Sequence, residues 1–325
     1  MNILQIILIV VIGTAITGFV YQTVAAQRDK RRFPPPGHLV DIGGRRLHLN
    51  VMGGENNASP TVILEAGMVS FSSNWAWVQP AVAKVARAVA VDRAGLGWSD
   101  PGPKPRDAGQ SARELHLALE KLGISGPYVL AGHSYGGLAV RAFAALYRDE
   151  VAGMVLVDGS HPDQWVRMGV SSKVVATSNY VSALLARFGL FRTFRGEYRL
   201  LTNGLPPRQR DELIALASTP HSLSSAGDSL MVWDSISRPL VNDAGSLGDL
   251  PLIVLSVTDQ PRMGAKLTEL QAELPSLSTN SEHITVQGAY HEGLVAQEKH
   301  AQAVTDAILR VVQVVHNGTL IAEEV

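Results

Sequence analysis

The architecture the sequence predicts is a parallel α/β sheet with helices on both faces, and three observations carry it. Short apolar runs rich in β-branched residues recur as TVILEAG (61–67), AVAVD (88–92), YVLAG (128–132), GMVLVDG (153–159), LIVLSV (252–257) and HITVQ (283–287). Each is apolar throughout, as strands covered on both sides must be. Stretches of helical period lie between most of them, at 74–86, 108–122, 138–147 and 297–315, where apolar residues return every three or four positions. Strand and helix therefore alternate, the order that builds a parallel sheet. The rhythm breaks once: the roughly 90 residues between Asp158 and Leu252 hold only helical patterns, too many for a crossover.

Taken from the start, Ile3 to Ala26 carries no charge and is long enough, at about 1.5 Å per residue, to cross a hydrocarbon layer about 30 Å thick. It is expected to be a single membrane anchor. A cleaved signal peptide is the alternative, with Val24 and Ala26 as the small residues before a cut, but no Lys or Arg precedes the run. The basic cluster Arg28–Arg32 follows, and the positive-inside bias puts it and everything after it on the cytoplasmic side. Pro34, Pro35 and Pro36 then form a stiff spacer that cannot continue a helix. HLVDIGGRRLHLNVM alternates around Gly43 and Gly44, the signature of a hairpin. The expected division is 1–27 anchor, 28–37 basic and proline-rich linker, 38–160 and 249–316 sheet domain, 161–248 a helical cap over the carboxyl ends of the strands, and 317–325 a frayed tail.

Composition narrows the function. With 46% hydrophobic and 18% charged residues the 325-residue chain is globular with a large interior. A net charge of −1 leaves no basic field for a phosphate backbone, so nucleic acid is not an expected partner. Cysteine is absent, which removes thiolate metal sites and a thiol nucleophile. No HExxH, carboxylate cluster or P-loop occurs, and neither a metal nor an organic cofactor is expected. Nothing in the sequence sets an oligomeric state.

The chemistry-bearing segment is YVLAGHSYGG, where Ser134 lies in a G-x-S-x-G pattern between an apolar strand and a helix of small residues. A nucleophile on so sharp a turn has strained dihedrals, and Gly132 and Gly136 let the neighbouring backbones approach. A serine hydroxyl needs a base, and His291, in the loop after the last strand, is placed to reach back to the elbow. His133 points away on the same turn and is expected to pack, while His300 and His316 fall in a helical pattern and are expected to face solvent. A carboxylate must orient the histidine. Asp259 and Asp158 both stand at strand ends; Asp259 gives the chain order Ser134, Asp259, His291 and is the expected partner. The backbone N–H groups of Tyr135 and Met68 are the expected oxyanion donors, each carrying about 3 kcal/mol of barrier.

Taken together, LEAG, DRAGLGWSD (92–100), LAGHSYGG, LVDGSHP, GDLPLIVLSVTD and YHEG resemble the α/β-hydrolase superfamily, specifically its capped serine hydrolases, over about 47–315. The resemblance implies the α/β-hydrolase fold and hydrolysis of esters, lipids, thioesters or amides; a covalent acyl-enzyme on an ester-like substrate is the expected mechanism, and the apolar cap and the anchor point to a lipophilic acyl group. Relatives that open epoxides or remove halides carry aspartate where Ser134 stands, so those activities are not implied. Carbon–carbon and proline-peptide hydrolysis share the triad, and a non-catalytic ligand-binding relative keeps the fold. Ala66-Gly67 replaces the usual His-Gly before the oxyanion donor, and Ser256 a usual glycine before the acid.

Overall fold

The computed structural model describes residues 2–54, 60–193, 202–258 and 264–323. Within them the sheet has eight strands: β1 His38–Asp41, β2 Arg46–Met52, β3 Thr61–Glu65, β4 Ala88–Asp92, β5 Tyr128–His133, β6 Val151–Val157, β7 Leu252–Val257 and β8 Ser281–Val286. Their order across the sheet is β1-β2-β4-β3-β5-β6-β7-β8. The hairpin β1–β2 and the pair β2–β4 are antiparallel, and the remaining pairs are parallel. Asp41 sets the hairpin turn, its carboxylate accepting from the amides of Gly43 and Gly44 at 2.8 and 2.9 Å.

The helices are α1 Ile3–Arg32, α2 Val78–Val82, α3 Ala108–Lys121, α4 Tyr135–Leu146, α5 Gln164–Met168, α6 Ser172–Arg187, α7 Leu190–Thr193, α8 Pro207–Ala217, α9 Pro220–Met231, α10 Arg238–Asp243, α11 Gly264–Glu273, α12 Gly293–Ala296 and α13 Glu298–Asn317. Alternate residues of one strand feed opposite faces of the sheet. Val62 and Leu64 of β3 join Val129, Val155, Val304, Ile308 and Val311 beneath α13. Ile63, between them, joins Leu130, Leu156, Leu115, Leu119 and Phe143 beneath α3 and α4. This two-sided burial is why the strands read as unbroken apolar runs.

Helices α5 to α10 lie between β6 and β7 and cover the carboxyl ends of the strands. Ser73 donates to Glu212 of α8 at 2.8 Å, and the Trp77 indole donates to the Gly204 carbonyl at 2.9 Å. Gly95 (φ +85) sits where α9 comes down, for a Cβ there would stand 2.0 Å from the Ser225 hydroxyl.

Helix α1 opens with a capping box between Asn2 and Gln5, and Thr14, Thr17 and Thr23 return their hydroxyls to carbonyls one turn earlier at 2.8 to 2.9 Å. These three hydroxyls are thereby satisfied within the helix, as an apolar medium requires. No residue of its apolar window is buried in the protein, and it is long and apolar enough to span a bilayer. Three expectations need correction. The helix runs through the basic cluster to Arg32 instead of ending at 27, because the first proline comes only at Pro34. His300 is buried rather than solvent-facing, lying on the inner side of α13. The tail does not fray at once: the amide of buried Ile321 donates to Asn280 at 2.9 Å.

The DRAGLGWSD segment is a structural knot at the end of β4. Asp92 accepts from the amides of Ser72 at 2.8 Å and Trp98 at 3.0 Å, and lies 2.9 Å from Nδ1 of His48. The other His48 nitrogen is bonded to the Pro36 carbonyl, so the spacer is tied to the sheet. The nearby Asp92 carboxylate and the Pro36 carbonyl both favour the protonated ring. Burial opposes that charge, but Asp92 outweighs it and raises the His48 pKa above 6.5. Stability from this contact is therefore full below about pH 6.5 and is lost as pH rises through the higher folded value. Melting curves from pH 6 to 9 should show this decline in the native chain, and His48→Gln should remove that part of the slope.

Candidate active site

Strand β5 ends at His133, and α4 begins at Tyr135, so Ser134 is the whole turn. Its φ is 54° and its ψ −123°, a conformation an L-residue holds only when its surroundings impose it. The imposition comes from close backbone. A Cβ on Gly132 would stand 2.4 Å from the Gly136 carbonyl oxygen, and one on Gly136 only 2.1 Å from that of Glu65. Gly137 is as tight, its Cβ position 2.7 Å from the Gly159 Cα. The Ser134 carbonyl is held by the amides of Gly137 at 2.9 Å and Ser160 at 2.8 Å. Tyr135 is the first residue of α4, so its N–H has no intrahelical acceptor, and the positive end of the helix lies at the serine.

Among the described residues one other non-glycine has a positive φ, Asp158 at 42°. It ends β6, which pairs directly with β5, and its carboxylate bonds Nδ1 of His291. The expected partner, Asp259, lies outside the described residues; among those described, the Nδ1 bond goes to Asp158, the other carboxylate the sequence offered. Asp158 follows the strand beside the elbow, whereas Asp259 follows β7, one strand farther out.

His291 lies in the loop between β8 and α12. Burial alone would lower its pKa, but the bond and charge of Asp158 outweigh burial and raise it above 6.5. Its backbone is held by the neighbour of the nucleophile: His133 Nε2 lies 3.0 Å from the His291 carbonyl, to which it donates, and the rings stand 4.7 Å apart. Burial pushes His133 down to about 3, so it stays neutral and packs, as expected of it, while also positioning His291.

The loop after β3 contains a residue pair the sequence reading missed. Arg93, buried, donates to Glu65 at 2.8 Å, to the Ala66 carbonyl at 2.7 Å and to the Gly67 carbonyl at 2.5 Å, and stacks 4.9 Å over the Tyr135 ring. Because the peptide unit is planar and trans, gripping the Gly67 carbonyl sends the Met68 N–H to the opposite side. Gly67 itself faces Ser134, with a Cβ position 3.4 Å from the Ser134 Cβ. The signal was available in LEAG and DRAG, where a glutamate and an arginine sit at the ends of neighbouring apolar strands.

Two outcomes follow from this packing. Gly136→Ala should cost about 1–3 kcal/mol through overpacking against backbone, read as a lower melting temperature. Arg93→Lys keeps the charge but loses the planar fork, and should slow fluorophosphonate labelling of Ser134 between about tenfold and a hundredfold in folded protein.

A family profile described as alpha/beta hydrolase fold matches residues 60–193. An AB hydrolase superfamily protein of Gibberella zeae is 29% identical over 148 residues, 44% of this chain and 46% of that protein. Among solved structures, a thermophilic esterase from Thermogutta terrifontis superposes with TM-score 0.63 at 20% identity, covering 86% of this chain and 97% of that one. The epoxide hydrolase CorEH superposes with TM-score 0.64 at 20% identity over 84% and 96%. The chain spans between about a fifth and a half of the length of the curated relatives it matches first.

Proposed function

The chain belongs to the α/β-hydrolase superfamily, and from that premise we propose that it is a serine hydrolase that cleaves an ester-like, lipophilic acyl substrate through a covalent acyl-enzyme. The observation that carries the reading is the pair of strained residues, Ser134 and Asp158, with His291 bonded to the second. Strain of this kind persists where function over-determines it.

In this reading Ser134 Oγ attacks the acyl carbonyl as His291 Nε2 takes its proton, and Asp158 stabilises the imidazolium that forms. The Tyr135 and Met68 N–H groups receive the oxyanion, the second aimed by Arg93. Collapse expels the alcohol, which takes the proton from His291. Water, deprotonated by the same histidine, then releases the acid and regenerates the serine. Helix α1 supports a bilayer anchor flanked by Arg28, Lys30, Arg31 and Arg32, and the lipophilic substrate class rests on that anchor.

Fluorophosphonate labelling of the full chain tests the reading. Ser134→Ala and His291→Ala should abolish it, Asp158→Asn should slow it about 10³–10⁴-fold, and Asp259→Asn should leave it unchanged. Loss on Asp259→Asn with retention on Asp158→Asn would reverse the assignment, and no labelling of folded protein would favour a binding role. Because the base must be neutral and its pKa is raised, the acidic limb of kcat/KM should have its midpoint above pH 6.5.

A further inference from the structure

Cap helix α6 is apolar on both sides. Its inner side, Ala176, Ala183 and Ala186, is buried over the loop that carries Met68 and Val69. Its outer side is a stripe: Val174, Val181, Leu185 and Phe188 fall at i, i+7, i+11 and i+14, with Leu184 beside them. These side chains are exposed by 66, 52, 41, 37 and 54% respectively. The exposed Thr177 and Ser178 share this face, Lys173 flanks it beside Leu184, and Arg187 falls off it.

The stripe ends where α1 is seated. Gly18 lies so close to the chain that a Cβ would stand 2.4 Å from the Phe188 carbonyl oxygen, and Gly189 packs against the Tyr21 ring. Just beyond, Arg192 donates to buried Gln22 at 2.7 Å and pairs with Asp29, so the cap and the foot of α1 are locked by packing and charge. From Ile3 to Tyr21 the helix rises about 28 Å, close to the thickness of a hydrocarbon layer. The domain-side boundary of that layer then falls at Gly18 to Tyr21, the level of Phe188.

We propose that the outer face of α6, with Leu190 after it, rests in the lipid–water boundary of the bilayer that α1 spans, so that a lipid surface is the partner of the cap. The proposal rests on the anchor reading of α1 and deepens the substrate reading. The Met68 loop lies one helix diameter, about 10 Å, from lipid, and the acyl substrate reaches Ser134 from the membrane phase.

The chain has no cysteine, so single cysteines carry an environment-sensitive fluorophore at one known place. The full chain is reconstituted in phosphatidylcholine–phosphatidylglycerol vesicles with acyl chains spin-labelled near the headgroup. Leu8→Cys reports on the anchor, Val181→Cys and Leu184→Cys on the stripe, and Glu120→Cys on the opposite end of the domain. Labels at 8, 181 and 184 should lose most of their emission, and the label at 120 should keep it. Quenching at 8 without quenching at 181 and 184 overturns the proposal and leaves the anchor. No quenching at 8 overturns both, and equal quenching at 120 overturns it as nonspecific adhesion. Probe labelling of Ser134 in the same vesicles reads the serine-hydrolase reading separately, so failure of one is not mistaken for failure of the other.

Discussion

The contact on which the site depends is backbone against backbone at the elbow. Residues 132 to 137 pass β3 and the turn after β6 with no side chain between them, and the Gly136 Cα lies beside the Glu65 carbonyl at a distance no Cβ tolerates. Only this approach lets one residue, Ser134, make the whole turn from β5 to α4 and hold a positive φ. It fixes the serine hydroxyl, the first free amide of α4 and the Gly67 turn in one place. These groups are thus positioned by chain path, before any side-chain interaction is counted.

A second layer of buried polar contacts holds that chain path. Arg93 donates to the carbonyls of Ala66 and Gly67, and Glu65 balances its charge. Asp92 accepts from the amides of Ser72 and Trp98, and His48 carries the link to Pro36. Glu65 ends β3 and Asp92 ends the adjacent β4, so the loop that faces Ser134 is held at 66–67 by Arg93 and at Ser72 by Asp92. His133 extends the network to His291 across the top of β5.

The long N-terminal helix is joined to the cap rather than left to swing from a linker. Gln22 and Asp29 meet Arg192, Gly18 meets the chain at Phe188, and Phe33 packs among Phe71, Leu96 and Leu213. The basic cluster therefore lies on a structured helix whose direction is set by its contacts with the sheet domain and cap, because helix formation continues until the prolines stop it.

The sequence by itself determined the strands, the helices that cover them, the inserted helical block and the serine elbow, because each is written in local periodicity or in a glycine pattern that backbone geometry demands. Ser134 and His291 were legible for the same reason: each lies at the end of an apolar run. What only the tertiary structure decided is which strand stands beside which. Asp158 and Asp259 look alike in sequence, both following buried strands, and it is the assembled sheet that sets Asp158, after β6, beside β5 and within reach of His291. The Glu65–Arg93 pair was hidden likewise, since its members are far apart in the chain and meet only across β3 and β4. Burial of His300 and Ile321 depends on which side of α13 faces the sheet and on where the chain turns back after it. Local sequence encodes conformation, whereas partnership between distant residues appears only when the sheet is assembled.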